Sequence, residues 1–600
     1  MEKRWIIFLI ITFAVVNFFT ARMQKEQQLA KKKSDELKKT EISKDSLEQQ
    51  TTATQHVSVD QSLAASDKDI TPTEQISVEP AIPQKEAEKI DVETDLYSIT
   101  FTTEAAQPIK WQLINKSLIN KDGKTENSKP INIIPQFEQI PEGWSYPFEL
   151  EIPGFQATNR LVYDSNVAEN SNGTTITFTS PVYNSIQIEK KYFIPKDSYL
   201  VDFSLRIINK GTNREPIDDG EGNGFALSWG AGIGESSGFS GNDKYYIAPV
   251  FLKDESVEGK TTKAKDAPKT YSGQTDWAGI ENTYFLAAFI PQNKENISAV
   301  KTQTKTIIFA NKQDEANTTP PIKTSLLHEK FILEPNSTVV YDYKVFVGPK
   351  DYKILTKEGY GLKKIMFRTS WNWVRALCII LMKTLNMIYD FVHNYGIAIL
   401  LITVLVKIIT YPLTSKGMKM QAAAMKEQMR IKPILDAINE KYKNDPQEKN
   451  RQVMKAYKEH GINPFAPLRG CVPLLIQLPI FIALYKLLGQ MVDLRGASFL
   501  WIKDLSGEDA LFLLPFTIPM LGWTYFNILP LAMGVSQYFV SKLSPVAPSS
   551  DPMQKQMMTM MPIIFTIMLY KMPSGLVLYW LVSNLWQLGQ QIITNKLSKA

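Results

Sequence analysis

The chain has 600 residues with a net charge of +6, and 44% of its residues are hydrophobic and 21% charged, an average typical of soluble proteins. The average conceals two halves, because residues 22–370 are polar whereas residues 371–600 hold most of the long apolar runs. This asymmetry predicts several domains, one of them embedded in a membrane. The modest net charge gives no indication of a specific nucleic-acid partner.

Cofactor motifs are absent from the sequence. Cys378 and Cys471 both lie in apolar or membrane-adjacent sequence, which argues against a disulfide framework. The four histidines are scattered, and no CxxC, HExxH or GxxxxGK[ST] pattern occurs. The Gly- and Ser-rich stretch at 220–241 lacks the strand–loop–helix context of a dinucleotide site and is interpreted as a mobile loop. No metal, nucleotide or other cofactor is expected.

The first 92 residues predict a membrane anchor followed by a linker. Residues 1–21 combine a basic start with a mostly apolar run, and no A-x-A-like cleavage site comes after it. We therefore predict an uncleaved signal anchor with a cytoplasmic N-terminus, rather than a cleaved signal peptide, and export of the residues after the anchor. Residues 22–92 contain no Phe, Tyr or Trp, which predicts a disordered linker.

Residues 93–350 carry the pattern of an exported all-β domain. Hydrophobic and polar residues alternate at 174–179, 185–189 and 200–207, with Gly, Asn, Asp and Pro between the runs. Regular short strands separated by turn residues predict a β-sandwich.

An amphipathic helix is predicted at 365–390, where apolar residues recur at helical spacing next to tryptophans. A helix lying in the membrane interface is the first interpretation. A buried helix at the edge of the β domain is the alternative.

Lys407 is the one charge inside the apolar run at 396–413. A lysine near the centre of a spanning helix costs roughly 2.5–3.5 kcal/mol on insertion scales, and such residues usually face a bundle interior or a water-filled cavity. The alternative is that its long side chain reaches the nearer interface.

A basic helical hairpin is predicted at 415–460, broken at the turn signal Asn444-Asp445-Pro446. Residues 415–470 contain twelve basic and six acidic residues, a net charge of +6. The positive-inside rule places this hairpin in the cytoplasm. The basic residues of the hairpin either determine membrane topology alone or also bind a ribosome or targeting factors.

Further spans are predicted at 472–491, 526–540, 557–572 and 575–593, whereas the apolar piece at 511–525 is too short to span and is interpreted as re-entrant or interfacial. Together with 396–413 and the signal anchor, these make six spans, five of them in a core at 391–600, with both termini cytoplasmic. The spans contain Thr403, Gln477 and Asn584. Scattered threonines usually bond within their own helix, but Gln477 and Asn584 together with Lys407 favour a wet polar groove inside the bundle. Paired intramembrane carboxylates, expected of a proton-coupled pump, are absent from the sequence of the spans.

Several motifs resemble those of the YidC/Oxa/Albino family of membrane protein insertases. They are KIITYPLT at 407–414, NP at 463–464, CVPLLIQLPIFIALY at 471–485, DPMQK at 551–555, MPIIF at 561–565 and PSGLVLYWLVSN at 573–584. The β domain and signal anchor resemble the Gram-negative branch, whose periplasmic domain is a β-supersandwich similar to galactose mutarotase.

The resemblance implies an inner-membrane insertase and chaperone without enzymatic activity. In the family, five spans enclose a hydrophilic groove whose single positive charge receives polar regions of nascent membrane proteins, alone or with the Sec translocon and in contact with lipids. Lys407 stands where the family normally has Arg, and Thr403, Gln477 and Trp580 match groove or substrate-contact positions by alignment. The short C-terminal sequence lacks a long basic ribosome-binding tail.

Two other functions remain open from the sequence. A transporter or channel would show solute flux and ion coupling. An anchored carbohydrate-active or carbohydrate-binding domain would need a carboxylate pair in the β cleft, for which Asp218, Asp219 and Glu221 are candidates.

Overall fold

The computed structural model describes residues 85–114, 130–135, 146–230, 232–234, 247–259, 268–304, 321–442, 445–461, 472–518, 521–543 and 552–597. The chain divides into two units, Met1–Ala81 and Ile82–Ala600. The predicted signal anchor and most of the predicted linker lie outside the described residues.

The described part of residues 89–349 folds into antiparallel strands. They are β1 (Lys89–Glu93), β2 (Tyr97–Thr102), β3 (Gln107–Leu113), β4 (Ile131–Asn132), β5 (Glu149–Glu151), β6 (Asp164–Glu169), β7 (Gly173–Thr179), β8 (Ile186–Pro195), β9 (Leu200–Asn209), β10 (Glu215–Ile217), β11 (Asn223–Trp229), β12 (Ala248–Lys253), β13 (Ser256–Glu258), β14 (Lys269–Ser272), β15 (Trp277–Glu281), β16 (Phe285–Pro291), β17 (Ile297–Thr304), β18 (Ile322–Glu329), β19 (Phe331–Leu333) and β20 (Thr338–Pro349).

Two large sheets dominate this β domain. One has nine strands in the order β13-β12-β15-β16-β20-β9-β8-β7-β6, and the other has five in the order β14-β17-β18-β11-β5. Smaller sheets pair β1-β2-β3-β4 and β10-β19. Burial alternates along β8 and β9, because successive side chains point to opposite faces of a strand and only one face is covered. The strands predicted at 174–179, 185–189 and 200–207 correspond to β7, β8 and β9.

Two boundaries differ from the sequence interpretation. β1 begins at Lys89, inside the predicted linker, because its alternating KIDVE sequence pairs along its whole length with β2. The predicted mobile loop at 220–241 is wrong for β11, which lies between β5 and β18 and is almost entirely buried. The high content of glycine and serine in this stretch suggested a loop, although Phe225, Leu227 and Trp229 are the apolar residues of a buried strand.

The helical part follows the β domain. Its elements are α1 (Tyr352–Glu358), α2 (Asn372–Val392), α3 (Tyr395–Lys441), α4 (Pro446–Glu459), α5 (Val472–Gln490), β21 (Phe512–Ile518), β22 (Trp523–Phe526), α6 (Ile528–Leu543), α7 (Pro552–Leu569) and α8 (Ser574–Leu597).

The amphipathic helix α2 begins at Asn372, not at 365 as predicted. The residues before it form a short 3-10 turn, Leu362–Ile365, whose side chains at Leu362 and Ile365 are buried. One face of α2 is buried at Val374, Cys378, Leu381, Met382 and Leu385 and packs on α3 and α5. The opposite face exposes Ile380, Met387 and Phe391, and the stacked pair Trp371 and Trp373 is exposed at the start of the helix.

α3 joins the Lys407 segment and the first arm of the predicted hairpin in one helix of 47 residues. Pro412 and Pro433 lie inside it without ending it. The predicted break at 444–446 is where α4 starts: Asp445 caps the backbone N–H groups of Gln447 and Glu448, and Pro446 occupies the first turn. Ile431 and Leu435 of α3 pack against Ala456 and Tyr457 of α4, so the two arms form the antiparallel hairpin that was predicted.

The piece at 511–525 forms a two-stranded antiparallel hairpin, β21 with β22. Among the described residues, one helix is long and apolar enough to cross a membrane, the Tyr395–Met420 part of α3, and Met560–Leu569 is a shorter apolar stretch. α6 has only 16 residues, and α8 carries several amide side chains, so neither has the length and composition of an isolated span. The count of six spans therefore stays a prediction.

The β domain and the helices contact each other through a buried ionic cluster and an aromatic contact. Glu281 of β15 accepts hydrogen bonds from Lys350 (2.7 Å) and from Arg368, which precedes α2 (2.6 Å). Burial alone would raise the pKa of Glu281, but the two cations hold it below its ordinary value. Arg495, after α5, lies over the Phe285 ring at 6.0 Å.

Candidate substrate site among the helices

Lys407 lies on α3, twelve residues after its first residue Tyr395, which corresponds to about 18 Å along the axis. Its ammonium donates a hydrogen bond to Oε1 of Gln477 on α5 at 3.2 Å. The side chain is half-buried, and among the described residues no carboxylate forms an ion pair with it. Its ammonium therefore contacts a neighbouring helix, as a lysine facing the bundle interior would.

Gln477 links three helices. Its oxygen accepts from Lys407 on α3, and its Nε2 donates to the hydroxyl of Tyr579 on α8. Tyr579 is almost fully buried. The chain Lys407–Gln477–Tyr579 thus satisfies polar atoms that would be costly to leave unpaired in apolar surroundings.

Asn584 and Trp580 belong to a second polar contact, between α8 and α6. Nδ2 of Asn584 donates to Oγ of Ser536 at 2.9 Å, and Nε1 of Trp580 donates to Oε1 of Gln537 at 3.2 Å. The ring of Trp580 also meets Phe481 edge-on, with ring centroids 4.7 Å apart. Two successive residues of α8 therefore form hydrogen bonds with different helices. Tyr579 bonds to α5 and Trp580 bonds to α6.

Thr403 makes neither contact. It is fully buried, and its Oγ1 donates to the backbone oxygen of Ile399 one turn earlier at 2.6 Å. This is the local bond that threonines commonly form inside apolar helices. Of the five predicted groove residues, the structure joins Lys407 to Gln477 and leaves Thr403 bonded within its own helix. Asn584 and Trp580 lie on α8 and both donate to side chains of α6.

Tyr579, Ser536 and Gln537 were missed by the sequence interpretation. Tyr579 stands in the PSGLVLYWLVSN motif, but an aromatic residue in a span also fits simple apolar packing. Gln537 carries an amide within the predicted 526–540 span and could have been found by the same reasoning that selected Gln477.

Two of the acidic residues considered for a carbohydrate site, Asp219 and Glu221, line a cavity of about 820 Å³ on the five-stranded sheet. Asp219 accepts from the backbone of Glu221 and from Asn223, and Asp218 pairs with Lys330 at 3.0 Å. All three carboxylates are exposed, and the bonds of Asp218 and Asp219 stabilise their own loop. Deeper in the cavity, buried Lys323 lies between Glu149 and Glu151.

Sequence comparison identifies both parts of the chain. A family model described as the YidC periplasmic domain matches residues 89–382, and one described as 60Kd inner membrane protein matches residues 387–600. The membrane protein insertase YidC of Syntrophus aciditrophicus is 33% identical over 525 residues, covering 86% of each chain. The insertase YidC of Geotalea uraniireducens is 32% identical over 532 residues, covering 87% of this chain and 90% of that one.

A solved structure described as an active YidC insertase with its first transmembrane domain resolved is 17% identical, covering 86% of this chain and 94% of that one. Its TM-score is 0.33, too low for an argument about the fold.

The fold and the sequence matches together define an inner-membrane protein with a periplasmic β domain and a helical membrane part. The chain belongs to the YidC family of membrane protein insertases. Its function is the insertion of membrane proteins, and neither transport of solutes nor an enzymatic reaction is the activity of this family.

Proposed function

We propose that Lys407, Gln477 and Tyr579 form the polar wall of a groove that receives hydrophilic segments of nascent membrane proteins. The observation that carries the proposal is the hydrogen bond of Lys407 to a neutral amide on a neighbouring helix. A neutral partner satisfies one N–H of the ammonium without cancelling its charge, so the charge stays available to an acidic segment.

In this mechanism the attraction between the Lys407 ammonium and an acidic client segment acts mainly at short range. Between unit charges 4 Å apart it is about 1 kcal/mol in bulk water but about 4 kcal/mol at the effective dielectric of a protein surface. A client segment therefore gains most from Lys407 once it has entered the groove. Its apolar segments then leave along the exposed faces of the helices into lipid.

The polar contact of Asn584 and Trp580 with α6 serves the same groove in this proposal, as a second hydrogen-bonding surface. Thr403 contributes a small buried side chain that permits close packing next to Lys407. Neither the Lys407–Gln477–Tyr579 wall nor the contact of Asn584 and Trp580 with α6 contains a pair of carboxylates. This agrees with a passive groove and not with ion-coupled transport.

We further propose six spans, namely the signal anchor and five in residues 391–600, with both termini in the cytoplasm. The support is the basic character of the α3–α4 hairpin, since basic segments stay in the cytoplasm, together with a periplasmic β domain on the other side. The polar residues of α8 and the short α6 suit helices that pack in a bundle rather than isolated spans.

The α3–α4 hairpin is proposed to bind the ribosome or targeting factors, and the membrane part to act alone or with the Sec translocon and with lipids. Arg430, Lys441, Arg451 and Lys455 on the hairpin are exposed. Phosphate-rich ribosomal RNA attracts such a surface without reading a base sequence, so no specific nucleic acid is required.

Site-specific photocrosslinking to a stalled nascent chain tests the groove. The photoreactive residue replaces Gln477 or Trp580 in the groove, and Ile409, which is 66% exposed on α3, serves as the matched position outside it. We expect the polar segment of the client to crosslink from the groove positions before it crosslinks from Ile409. Crosslinks at Ile409 alone, or at equal rates throughout, would contradict a groove at this place.

A further inference from the structure

The hairpin of β21 and β22, here named the apolar hairpin, exposes large apolar side chains. Residues 511–526 contain no charged residue. At least 36% of the surface is exposed at Leu511, Phe512, Leu513, Phe516, Leu521 and Tyr525. Burial does not alternate along β21, so neither face of this strand is a polar face turned to water.

The apolar hairpin is fixed to the helix ends next to the β domain. The ring of Trp523 stacks on Tyr570 just after α7, with centroids 3.6 Å apart, and Lys571 donates to the backbone oxygen of Gly522. Asn527, between β22 and α6, donates to the backbone oxygen of Tyr570 at 2.8 Å. The chain here therefore has a defined position rather than being a free loop.

That end of the helices is the periplasmic end. The backbone N–H of Ser574, at the start of α8, donates to the oxygen of Gly507 at 2.6 Å, so the segment before the hairpin packs on the same end. Arg495 of that segment contacts Phe285 of the periplasmic domain. The α3–α4 hairpin is formed at the opposite end of the long helix α3.

Three environments are conceivable for such a hairpin, and two are unfavourable. In water, an exposed apolar edge is a site for aggregation. In the hydrocarbon centre, the outer edges of a two-stranded sheet would leave backbone N–H and C=O groups without partners. At the boundary of headgroups and acyl chains, the side chains reach hydrocarbon while the backbone still reaches water. Trp523 and Tyr525 are residue types enriched at that depth.

We propose that the apolar hairpin lies in the periplasmic interface of the bilayer and binds the lipids of the outer leaflet. It anchors the adjoining ends of α6 and α7 at a fixed depth. The inference is independent of the groove proposal, because none of its residues contacts Lys407, Gln477 or Tyr579 in the described hydrogen bonds.

Depth-dependent fluorescence quenching tests the proposal on the full chain in vesicles of phosphatidylethanolamine and phosphatidylglycerol. The variant Cys471→Ser, with buried Cys378 retained, carries Phe516→Cys labelled with a small fluorophore. Nitroxide lipids labelled near the headgroup, near the top of the acyl chain and near its end are compared with aqueous iodide. Matched controls are Ile332→Cys on the β domain and Ile564→Cys on α7, 59% and 52% exposed.

We expect Phe516→Cys to be quenched most by nitroxides near the top of the acyl chain and to be shielded from iodide relative to Ile332→Cys. Ile564→Cys should be quenched most by deeper nitroxides. Quenching of Phe516→Cys by iodide alone, or most strongly by the deepest nitroxide, would overturn the proposal.

A photoreactive residue at position 516, crosslinked in native membranes, shows whether the apolar hairpin contacts lipid or another protein. Lipid adducts as the main product support the proposal. A protein adduct as the main product would instead make this surface a protein interface and would overturn it.

Discussion

Gln477 contacts both Lys407 and Tyr579, so a substitution at position 477 changes the charge next to the ammonium of Lys407. Gln477→Glu would place a carboxylate on Lys407, with an attraction of about 4 kcal/mol at protein-surface dielectric, and would neutralise the site. We expect insertion of acidic clients to fall several-fold, close to the level of a variant that lacks the lysine.

Gln477→Met is the matched control for that prediction, because it keeps the volume and leaves the ammonium charged. Its insertion of acidic clients should stay above that of Gln477→Glu, measured at equal amounts of folded insertase. A Glu variant that inserts acidic clients as well as the natural protein would contradict a role for the net charge.

His328 in the β domain predicts a pH dependence of stability. Its Nδ1–H donates to the backbone oxygen of Phe225, its Nε2 accepts from the Tyr343 hydroxyl at 2.6 Å, and its ring stacks on Phe225. Burial lowers the pKa of His328 to about 3 from the ordinary value of 6.5. Below pH 6.5 the unfolded state binds a proton that the folded state does not, so stability falls as the pH is lowered.

Between pH 7 and pH 5 this single group should cost the β domain about 2 kcal/mol of unfolding free energy. Hydrogen exchange of the β11 and β18 amides in the full chain measures that loss. His328→Leu should be less stable at pH 7, because the hydrogen bonds are lost, but should lose less on acidification. An equal pH dependence in both proteins would show that His328 does not titrate in this range.

At the residue scale, chemical type was the informative signal. A lysine or glutamine in an apolar span has few roles there, and Lys407 and Gln477 are indeed hydrogen-bonded to each other. Tyr579 was not predictable in the same way, since a tyrosine ring packs among apolar residues whether or not its hydroxyl has a partner. The hydrogen bonds of Asn584 and Trp580 to α6, rather than to Lys407 or Gln477, depend on how α8 is rotated, which sequence alone does not provide.

At the scale of elements, α3 connects the Lys407 segment to the first arm of the α3–α4 hairpin without an interruption. The sequence predicted separate elements because the composition changes from apolar at 396–413 to polar from 415 onward. The turn before α4 was predictable, since Asp445 and Pro446 are residues that start a helix. The apolar hairpin was not predictable as strands, because its residues do not alternate between apolar and polar.

The α3–α4 hairpin packs through its own small core, so its removal should leave the other helices folded. We predict that deletion of 419–459 weakens insertion of a ribosome-delivered client, because the exposed basic surface is lost. Protease protection of the client in vesicles measures the effect.

A matched variant keeps the hairpin and replaces exposed Arg430, Lys441, Arg451 and Lys455 by Gln. A similar loss in that variant assigns the effect to charge rather than to the shape of the hairpin. Unchanged insertion after the deletion would leave membrane topology as the only role of these charges.

At the scale of the whole molecule, the groove residues and the periplasmic domain belong to different parts of the chain. A deletion that stops at residue 320, such as 95–320, would retain β18 and β20 but remove their partners. β18 would lose β11, and β20 would lose β16 and β9, so unpaired strands would be exposed. Deletion of 89–349 removes the described strands of the domain together and retains α1 and the turn before α2. In this variant Arg368 no longer has Glu281 as its partner. The β domain that buries Arg368 is removed at the same time, so the unpaired guanidinium is exposed to water and costs little.

We predict that the variant lacking 89–349 retains most insertion activity, measured by protease protection of clients at matched amounts of folded protein. The retained residues 350–371 connect to α2 and should be needed. Loss of all insertion in a stable, correctly assembled variant would show that the β domain takes part directly.

The two-part organisation of the molecule was predictable from composition, because the polar and apolar halves are long and distinct. The number of spans was less accessible, since α6 and α8 are short or polar and depend on neighbouring helices for burial. That α6 and α8 are spans therefore stays a prediction, which rests on the predicted bundle and not on either segment alone.

The charge of Lys407 is tested most directly by a series of substitutions against clients whose translocated tails differ in charge. Lys407→Arg keeps the charge, Lys407→Ala removes it while suiting the helix, and Lys407→Glu reverses it. The readout is protease protection of the translocated tail at matched amounts of folded insertase. For an acidic tail we predict the order Arg at least equal to Lys, then Ala, then Glu, and for a neutralised tail a nearly flat series. If the Ala and Glu variants both match the natural protein across acidic clients, Lys407 is not the charge that receives them.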